Sequence, residues 1–138
     1  MSHISKIELE IKNLDALIAA CTRLGFTFVK NQKTYQWYGR WVGDSPLPEG
    51  ISQKDLGKCT HAIRVPNCSY EIGVVKHNNA YLLLWDSWES NLRLAIGTSA
   101  GIIRQAYTAE VVRHDAKMKG YRITEKKTEK GLRLILQK

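Results

Sequence analysis

Hydrophobic and polar residues alternate at the start of the chain and then follow a helical spacing. Across residues 4–11, aliphatic and charged side chains alternate over most of the length, which predicts a strand with one buried face. From Leu14 to Leu24, apolar residues recur every three to four positions, as in an amphipathic helix. Asn13 is a favourable N-cap and Gly25 a favourable C-terminal residue, so the pattern predicts a strand followed by a capped helix.

Strand-like and helical patterns continue through the rest of the chain. Segments rich in β-branched and aromatic residues predict strands at 26–29, 34–42, 61–65, 70–76, 81–88, 121–127 and 132–137. Both faces of 81–88 are apolar, which favours a strand covered on both sides. A second long helix is predicted over 102–119, whereas the pattern of 90–100 is ambiguous. The predicted buried stripe of that helix consists of Ile103, Ala106, Tyr107, Val111, His114 and Met118.

The order of these elements predicts an α+β fold. Runs of strands with two separated helices indicate a mostly antiparallel sheet with two main helices on one face. A chain of 138 residues fits one domain, 1–138. Each half contains a helix that ends at a glycine (Gly25 or Gly120) and then an aromatic strand and a hairpin. Two pseudo-repeated β-α-β-β units are therefore a further hypothesis.

Four large aromatic residues lie in the predicted strand 34–42. They are Tyr35, Trp37, Tyr38 and Trp41. Alternation in a strand places Tyr35 and both tryptophans on one face, and Tyr38 beside Arg40 on the other. We interpret the tryptophan face as core, because buried aromatic side chains dominate core packing. Tyr38 and Arg40 are then the exposed candidates for ligand binding.

The charge of the chain favours an anionic partner. The formal net charge is +8, and the segment 121–138 carries six basic and two acidic residues, which gives half of that charge. The candidate nucleic-acid-binding residues there are Lys126, Lys127, Lys130 and Arg133. The alternative is that these cations protect an exposed sheet edge against aggregation. No apolar run reaches the roughly 18 residues that span a bilayer, so we expect no membrane partner.

The cysteines and histidines predict no cofactor. Cys21, Cys59 and Cys68 are an odd number without a disulfide framework, and the N-terminus has no apolar signal region, so we expect a cytoplasmic protein. Cys59, Cys68, His61 and His77 have the chemistry of zinc ligands, but their spacing fits no standard site. We therefore expect no metal. Cys59 and His61 are also candidates for a nucleophile and its base.

Several segments resemble one known family. They are Met1-Ser-His-Ile-Ser-Lys-Ile7, Lys33-Thr-Tyr-Gln-Trp-Tyr-Gly-Arg-Trp-Val-Gly-Asp44, Leu47-Pro-Glu-Gly50, Asp55-Leu-Gly-Lys-Cys59, His61-Ala-Ile-Arg-Val-Pro66 and Tyr70-Glu-Ile-Gly-Val74. Together they resemble the hypothetical chloroplast reading frame 35 family, a domain of unknown function found in cyanobacteria, algal plastids and other bacteria. The resemblance implies a cyanobacterial protein, or a plastid-stromal one if it is plastid-encoded. It implies no activity, cofactor or catalytic residue.

These observations predict a basic binding or assembly protein. Its ligand surface would combine the aromatic strand 35–42, the loop 43–57 and basic residues, and its partner would be RNA or an acidic protein surface. The alternative is a small-molecule-binding protein or an enzyme. Its pocket would be lined by Tyr38, Arg40, His61 and Arg64.

Overall fold

The first helix forms where the sequence predicts it. In the computed structural model, which describes residues 4–39, 47–48, 50–97, 100–129 and 131–137, α1 spans Leu14–Leu24 and follows strand β1, Ile4–Ile11. The side chain of Asn13 accepts a hydrogen bond from the Ala16 N–H at 3.0 Å. Gly25 adopts a left-handed conformation with φ of 78°, which ends the helix.

The strands form two antiparallel sheets. The main sheet has the order β1-β5-β4-β3-β2, and β6 pairs with β7 in a second, two-stranded sheet. The remaining strands are β2 (Thr27–Val29), β3 (His61–Arg64), β4 (Ile72–His77), β5 (Ala80–Asp86), β6 (Arg122–Thr128) and β7 (Gly131–Gln137), and Gln53–Asp55 is a short 3-10 helix. The predicted terminal hairpin is therefore confirmed.

Three helices cover one face of the main sheet. The second and third are α2, Ser90–Ile96, in the segment of ambiguous pattern, and α3, Gly101–Met118. The helices and this face of the sheet form one buried cluster, which includes Leu17, Ile103, Ile63, Val74 and Trp85. The Tyr107 hydroxyl accepts hydrogen bonds from the N–H groups of Lys12 and Asn13, which ties α3 to the junction of β1 and α1. The α+β prediction is confirmed.

The buried face of α3 differs from the predicted stripe near its C-terminus. Ile103, Ala106 and Tyr107 are buried as predicted, but His114 is exposed and Met118 is 77% exposed. Glu110 and Ala116 are buried instead. The reason is that α3 packs against the hairpin β6–β7 as well as against α1, so a different side of the helix is covered in its second half.

Strand β5 is covered on both faces, as predicted, but Trp88 of the predicted strand lies beyond it and is 51% exposed. Leu83 and Trp85 belong to the core beneath the helices. Leu84 points to the opposite face, where it packs with Tyr35 and Ala62 in a second cluster. Asp86 follows on that same face by alternation and is fully buried.

The predicted strand 34–42 is not formed over its described part, 34–39. Thr34 makes only an isolated bridge with Lys58, and residues 40–42 lie outside the described residues. We call residues 33–39 the cover segment, because it lies on the sheet face opposite the helices. The backbone of Lys33 and Tyr35 pairs with that of Cys59 and Gly57. Beyond Tyr35, the N–H groups of Gln36 and Tyr38 donate to the side chains of Glu71 and Asp86 instead, so no regular strand pairing develops.

The proposed internal repeat is not reflected in the pairing of the strands. Gly25 and Gly120 both have positive φ after a helix, as the pattern predicted. However, the hairpin predicted in the first half is absent, since β2 pairs with β3 across a separation of some thirty residues. The second-half hairpin, β6–β7, forms a sheet of its own.

No helix in the described part of the chain is long and apolar enough to cross a bilayer.

Candidate functional site

Two buried carboxylates hold the backbone of the cover segment. Glu71 Oε1 accepts a hydrogen bond from the Gln36 N–H at 2.9 Å, and the Glu71 N–H donates to the Gln36 carbonyl at 2.8 Å. Asp86 Oδ2 accepts from the Tyr38 N–H at 3.1 Å. Glu71 and Asp86 are 8% and 0% exposed. Because buried carboxylates need hydrogen-bond donors, these bonds fix the path of the segment over the sheet.

The ring of Tyr35 lies directly on the backbone of Gly73. A Cβ atom at Gly73 would lie 2.6 Å from Tyr35 Cε1, closer than carbon atoms approach. The register places Gly73 between Ala62 on β3 and Leu84 on β5, so small and large side chains surround the ring. Glycine at 73 is therefore required for the close approach of the ring.

The hydroxyl of Tyr35 has no hydrogen-bond partner among the residues that the structure describes. The side chain is 3% exposed, and its oxygen is buried with no donor or acceptor from the described part of the chain. Burial raises the pKa of this phenol to about 12. An unpaired buried hydroxyl costs stability, since it loses its water without gaining a partner.

We expect Tyr35→Phe to raise the stability of the protein. Removing the unpaired hydroxyl while keeping the ring should increase the free energy of unfolding by about 1 kcal/mol. Urea denaturation followed by far-UV circular dichroism measures this change. A decrease of that size in the variant would mean that the hydroxyl has a partner in solution.

The other aromatic residues of the segment divide into covered and exposed groups. Trp37 is partly buried, and a Cβ at Gly57, which has φ of +80°, would lie 2.6 Å from its Nε1. Tyr38 is 44% exposed. Trp37 thus packs over the second cluster, as the core interpretation predicts, and Tyr38 is exposed as predicted. Trp41 and Arg40 lie outside the described residues.

The predicted pocket of Tyr38, Arg40, His61 and Arg64 is not assembled by the described residues. His61 faces the helix side of the sheet. The centroid of its ring lies 5.3 Å from the centroid of the Phe28 ring and 5.8 Å from that of Tyr81. Arg64 is three residues further along β3 and so lies on the opposite face, where its Nε contacts Glu71 Oε2 at 3.0 Å. The Asn31 N–H donates to His61 Nδ1 at 2.9 Å. Burial and nearby lysines lower the pKa of His61, so this histidine is a neutral, bonded core residue.

The predicted cysteine–histidine combinations are also separated. Cys59 packs beside Tyr35 on the cover side, and its thiol donates to the Gln32 carbonyl at 3.1 Å. A bend at Thr60 turns the chain, so Cys59 and His61 point to opposite faces of the sheet. Burial raises the pKa of Cys59 to about 11, which keeps the thiol protonated at neutral pH. No group of three or more potential metal ligands occurs within the described ranges.

The hairpin β6–β7 has one basic face. Lys126 pairs directly with Arg133, and Arg122 lies on the same face at the other end of β6. Thr124 and Ile135 lie between them, and all three cations are exposed. We call this the basic face of the hairpin. Lys127 pairs with Leu132 on the opposite face, so the structure separates it from Lys126; Lys130 lies outside the described residues.

A network of four charges joins the hairpin to the helices. Arg23 Nε donates to Glu110 at 2.9 Å, and Arg23 Nη1 donates to Glu125 of β6 at 3.0 Å. Arg113 also pairs with Glu125 through Nη2. Glu125, the one acid of β6, therefore faces the helices, where both arginines bind it. The basic face has no acid among its described strand residues.

Sequence reasoning missed the residues that position the cover segment. The isolated acid Asp86 inside an apolar strand was a signal for a buried carboxylate, but Glu71 and Gly73 offered none without knowledge of the strand pairing.

Comparison of the chain with models of protein families, with curated proteins and with solved structures gave no match.

Proposed function

We propose that the chain is an RNA-binding protein that contacts phosphate groups through the basic face of the hairpin. The observation that carries this proposal is the direct pairing of Lys126 with Arg133 beside Arg122, on a face whose described strand residues include no acid. Like charges opposite each other on a sheet destabilise it. A polyanion that neutralises them would remove this cost and release counterions, which favours binding.

The geometry supports contacts to phosphate rather than to bases. No aromatic side chain lies on the described part of the basic face, and the exposed Tyr38 lies over the opposite side of the main sheet. Stacking on Tyr38 and phosphate contacts at the hairpin therefore belong to separate surfaces. Binding through the hairpin alone would be independent of base sequence, because phosphate contacts carry no base information.

The resemblance to the hypothetical chloroplast reading frame 35 family supports a proposed location. On that basis the protein acts in the cytoplasm of a cyanobacterium, or in the plastid stroma if it is plastid-encoded. Both compartments contain abundant RNA, which is compatible with the proposed partner.

We expect Lys126→Gln with Arg133→Gln to weaken the binding of single-stranded RNA by a similar factor for all sequences. Each lost phosphate contact should flatten the slope of log affinity against log salt by up to about 0.7. Fluorescence anisotropy with oligo(U), oligo(A) and a mixed-sequence strand of equal length, over a salt series, measures both quantities.

Two controls isolate the hairpin. Lys30→Gln with Lys54→Gln removes the same charge from exposed positions outside the hairpin, so it should change the slope less. Tyr38→Ala should leave the binding unchanged. If both charge variants act equally, the effect is one of net charge and the proposed site is wrong. If polyglutamate of equal length binds the wild type as tightly as RNA does, the partner is an acidic protein surface instead.

A further inference from the structure

A second basic site lies on the cover side of the main sheet, away from the hairpin. A cleft of about 330 Å³ lies between the end of β4, the residues before β3 and the described part of the loop that contains the 3-10 helix. Its lining includes Lys58, His77 and Lys76, although alternation in β4 directs the Lys76 side chain to the helix side of the sheet. Its apolar lining residues are Ile51, Val75 and Leu84. This volume is at the lower end of the range for small-molecule sites.

The apolar floor of the cleft is fixed by the core. Leu84 is fully buried, and Val75, Ile51 and Cys59 pack against the same cluster as Tyr35. The Thr60 hydroxyl accepts a hydrogen bond from the Lys76 N–H at 3.2 Å, which holds the wall between β3 and β4. The floor is therefore formed before any ligand binds, so little ordering cost remains for binding.

Lys58 makes no ion pair with an acid among the described residues. Asp55 is the one acid among the described lining residues, and its Oδ2 accepts hydrogen bonds from the N–H and hydroxyl of Ser52, at 3.0 and 2.9 Å. These bonds lower the pKa of Asp55, and the nearby charges of Lys54 and Lys58 lower it further. A concave apolar floor with the Lys58 ammonium and the His77 imidazole at its rim matches a small anion with an apolar body.

The chemistry of the lining favours binding over reaction. The Cys59 thiol donates to a backbone carbonyl and is protonated at neutral pH, so it is not an activated nucleophile. The described lining also contains no paired acid and base with a shared proton. The cleft therefore has groups that recognise an anion and none that would transform it.

We propose that this cleft binds a small organic anion, in which a phosphate or carboxylate group is attached to an apolar or aromatic body. Lys58 and His77 contact the anionic group, and the body packs on Ile51, Val75 and Leu84. This inference is independent of the proposed RNA function, because it uses neither Lys126 nor Arg133.

Phenyl phosphate is a suitable probe, with inorganic phosphate and phenol as its charged and neutral halves. Titrations followed by ¹H–¹⁵N NMR should show saturable shifts of the amide signals of residues 58–60 and 75–77. The affinity for phenyl phosphate should exceed that for either half by about tenfold or more, because both groups are needed.

Three variants test the roles of individual residues. Lys58→Gln should weaken phenyl phosphate binding by about tenfold, since it removes a charge-assisted hydrogen bond. Ile51→Ala should weaken phenyl phosphate binding while leaving that of inorganic phosphate unchanged. Lys54→Gln is the matched control, because Lys54 is exposed and close in sequence but does not line the cleft.

The outcomes separate this site from the hairpin. The Lys126→Gln, Arg133→Gln variant should bind phenyl phosphate like the wild type, so failure of one proposal leaves the other testable. Equal weakening by Lys58→Gln and Lys54→Gln would show diffuse attraction by net charge. Shifts by phenyl phosphate that do not exceed those by inorganic phosphate would also overturn the proposal.

Discussion

Trp85→Ala is expected to lower the free energy of unfolding by about 3–5 kcal/mol. The Trp85 side chain is 8% exposed and lies in the cluster between the helices and the main sheet. Truncation removes a large buried surface and leaves a cavity that close-packed neighbours fill only in part. Urea denaturation of both proteins, followed by circular dichroism, gives the difference.

Trp88→Ala is the matched control for this prediction. Trp88 is three residues further along the chain and is 51% exposed, so its truncation should change stability by less than about 0.5 kcal/mol. Trp37→Ala should fall between the two, because Trp37 is partly buried over the second cluster. A Trp85→Ala midpoint equal to that of Trp88→Ala would exclude Trp85 from the core.

The early elements were predictable because their information is local. The alternation in β1 and the caps of α1 lie within a few residues of the structures they determine, and both are confirmed. The terminal hairpin was also predictable, since its two strands are adjacent in sequence. In each of these cases, a periodic pattern and a turn or cap residue favour the same structure.

The cover segment was not predictable, because its conformation depends on distant residues. Its alternating aromatic residues match a strand, but Glu71 and Asp86 provide the bonds that a neighbouring strand would otherwise provide. These acids are about 35 and 48 residues from their partners. Propensity is a weak guide where tertiary contacts of this kind satisfy the backbone.

The candidate sites were predictable only in part. The separation of His61 from Arg64 follows from strand parity, so a pocket that contains both side chains was avoidable from the sequence. The pairing of Lys126 with Arg133 follows from the hairpin register, which depends on the turn. The cleft beside Lys58 joins segments from β4, β5 and a loop, and no local pattern brings these together.

Gly73→Ala is expected to destabilise the wild-type protein by about 1–3 kcal/mol, although alanine is normally preferred to glycine within a strand. Gly73 does not have a positive φ, so the backbone itself accepts alanine. The cost is the collision of the new methyl group with the Tyr35 ring, which cannot move without losing its packing against Ala62 and Leu84.

The effect of Gly73→Ala on the free energy of unfolding should change sign when the Tyr35 ring is absent. In a Tyr35→Ala background, Gly73→Ala meets no ring and reduces the entropy of the unfolded chain, so it should be neutral or stabilise by up to about 1 kcal/mol. Tyr35→Leu is a second background if Tyr35→Ala is too unstable for a complete transition. The double-mutant cycle, measured by urea denaturation, should give a coupling energy of about 1–3 kcal/mol between the two positions. Additive effects would show that Tyr35 does not lie on Gly73 in solution, and the cover segment would then have a different path over the sheet.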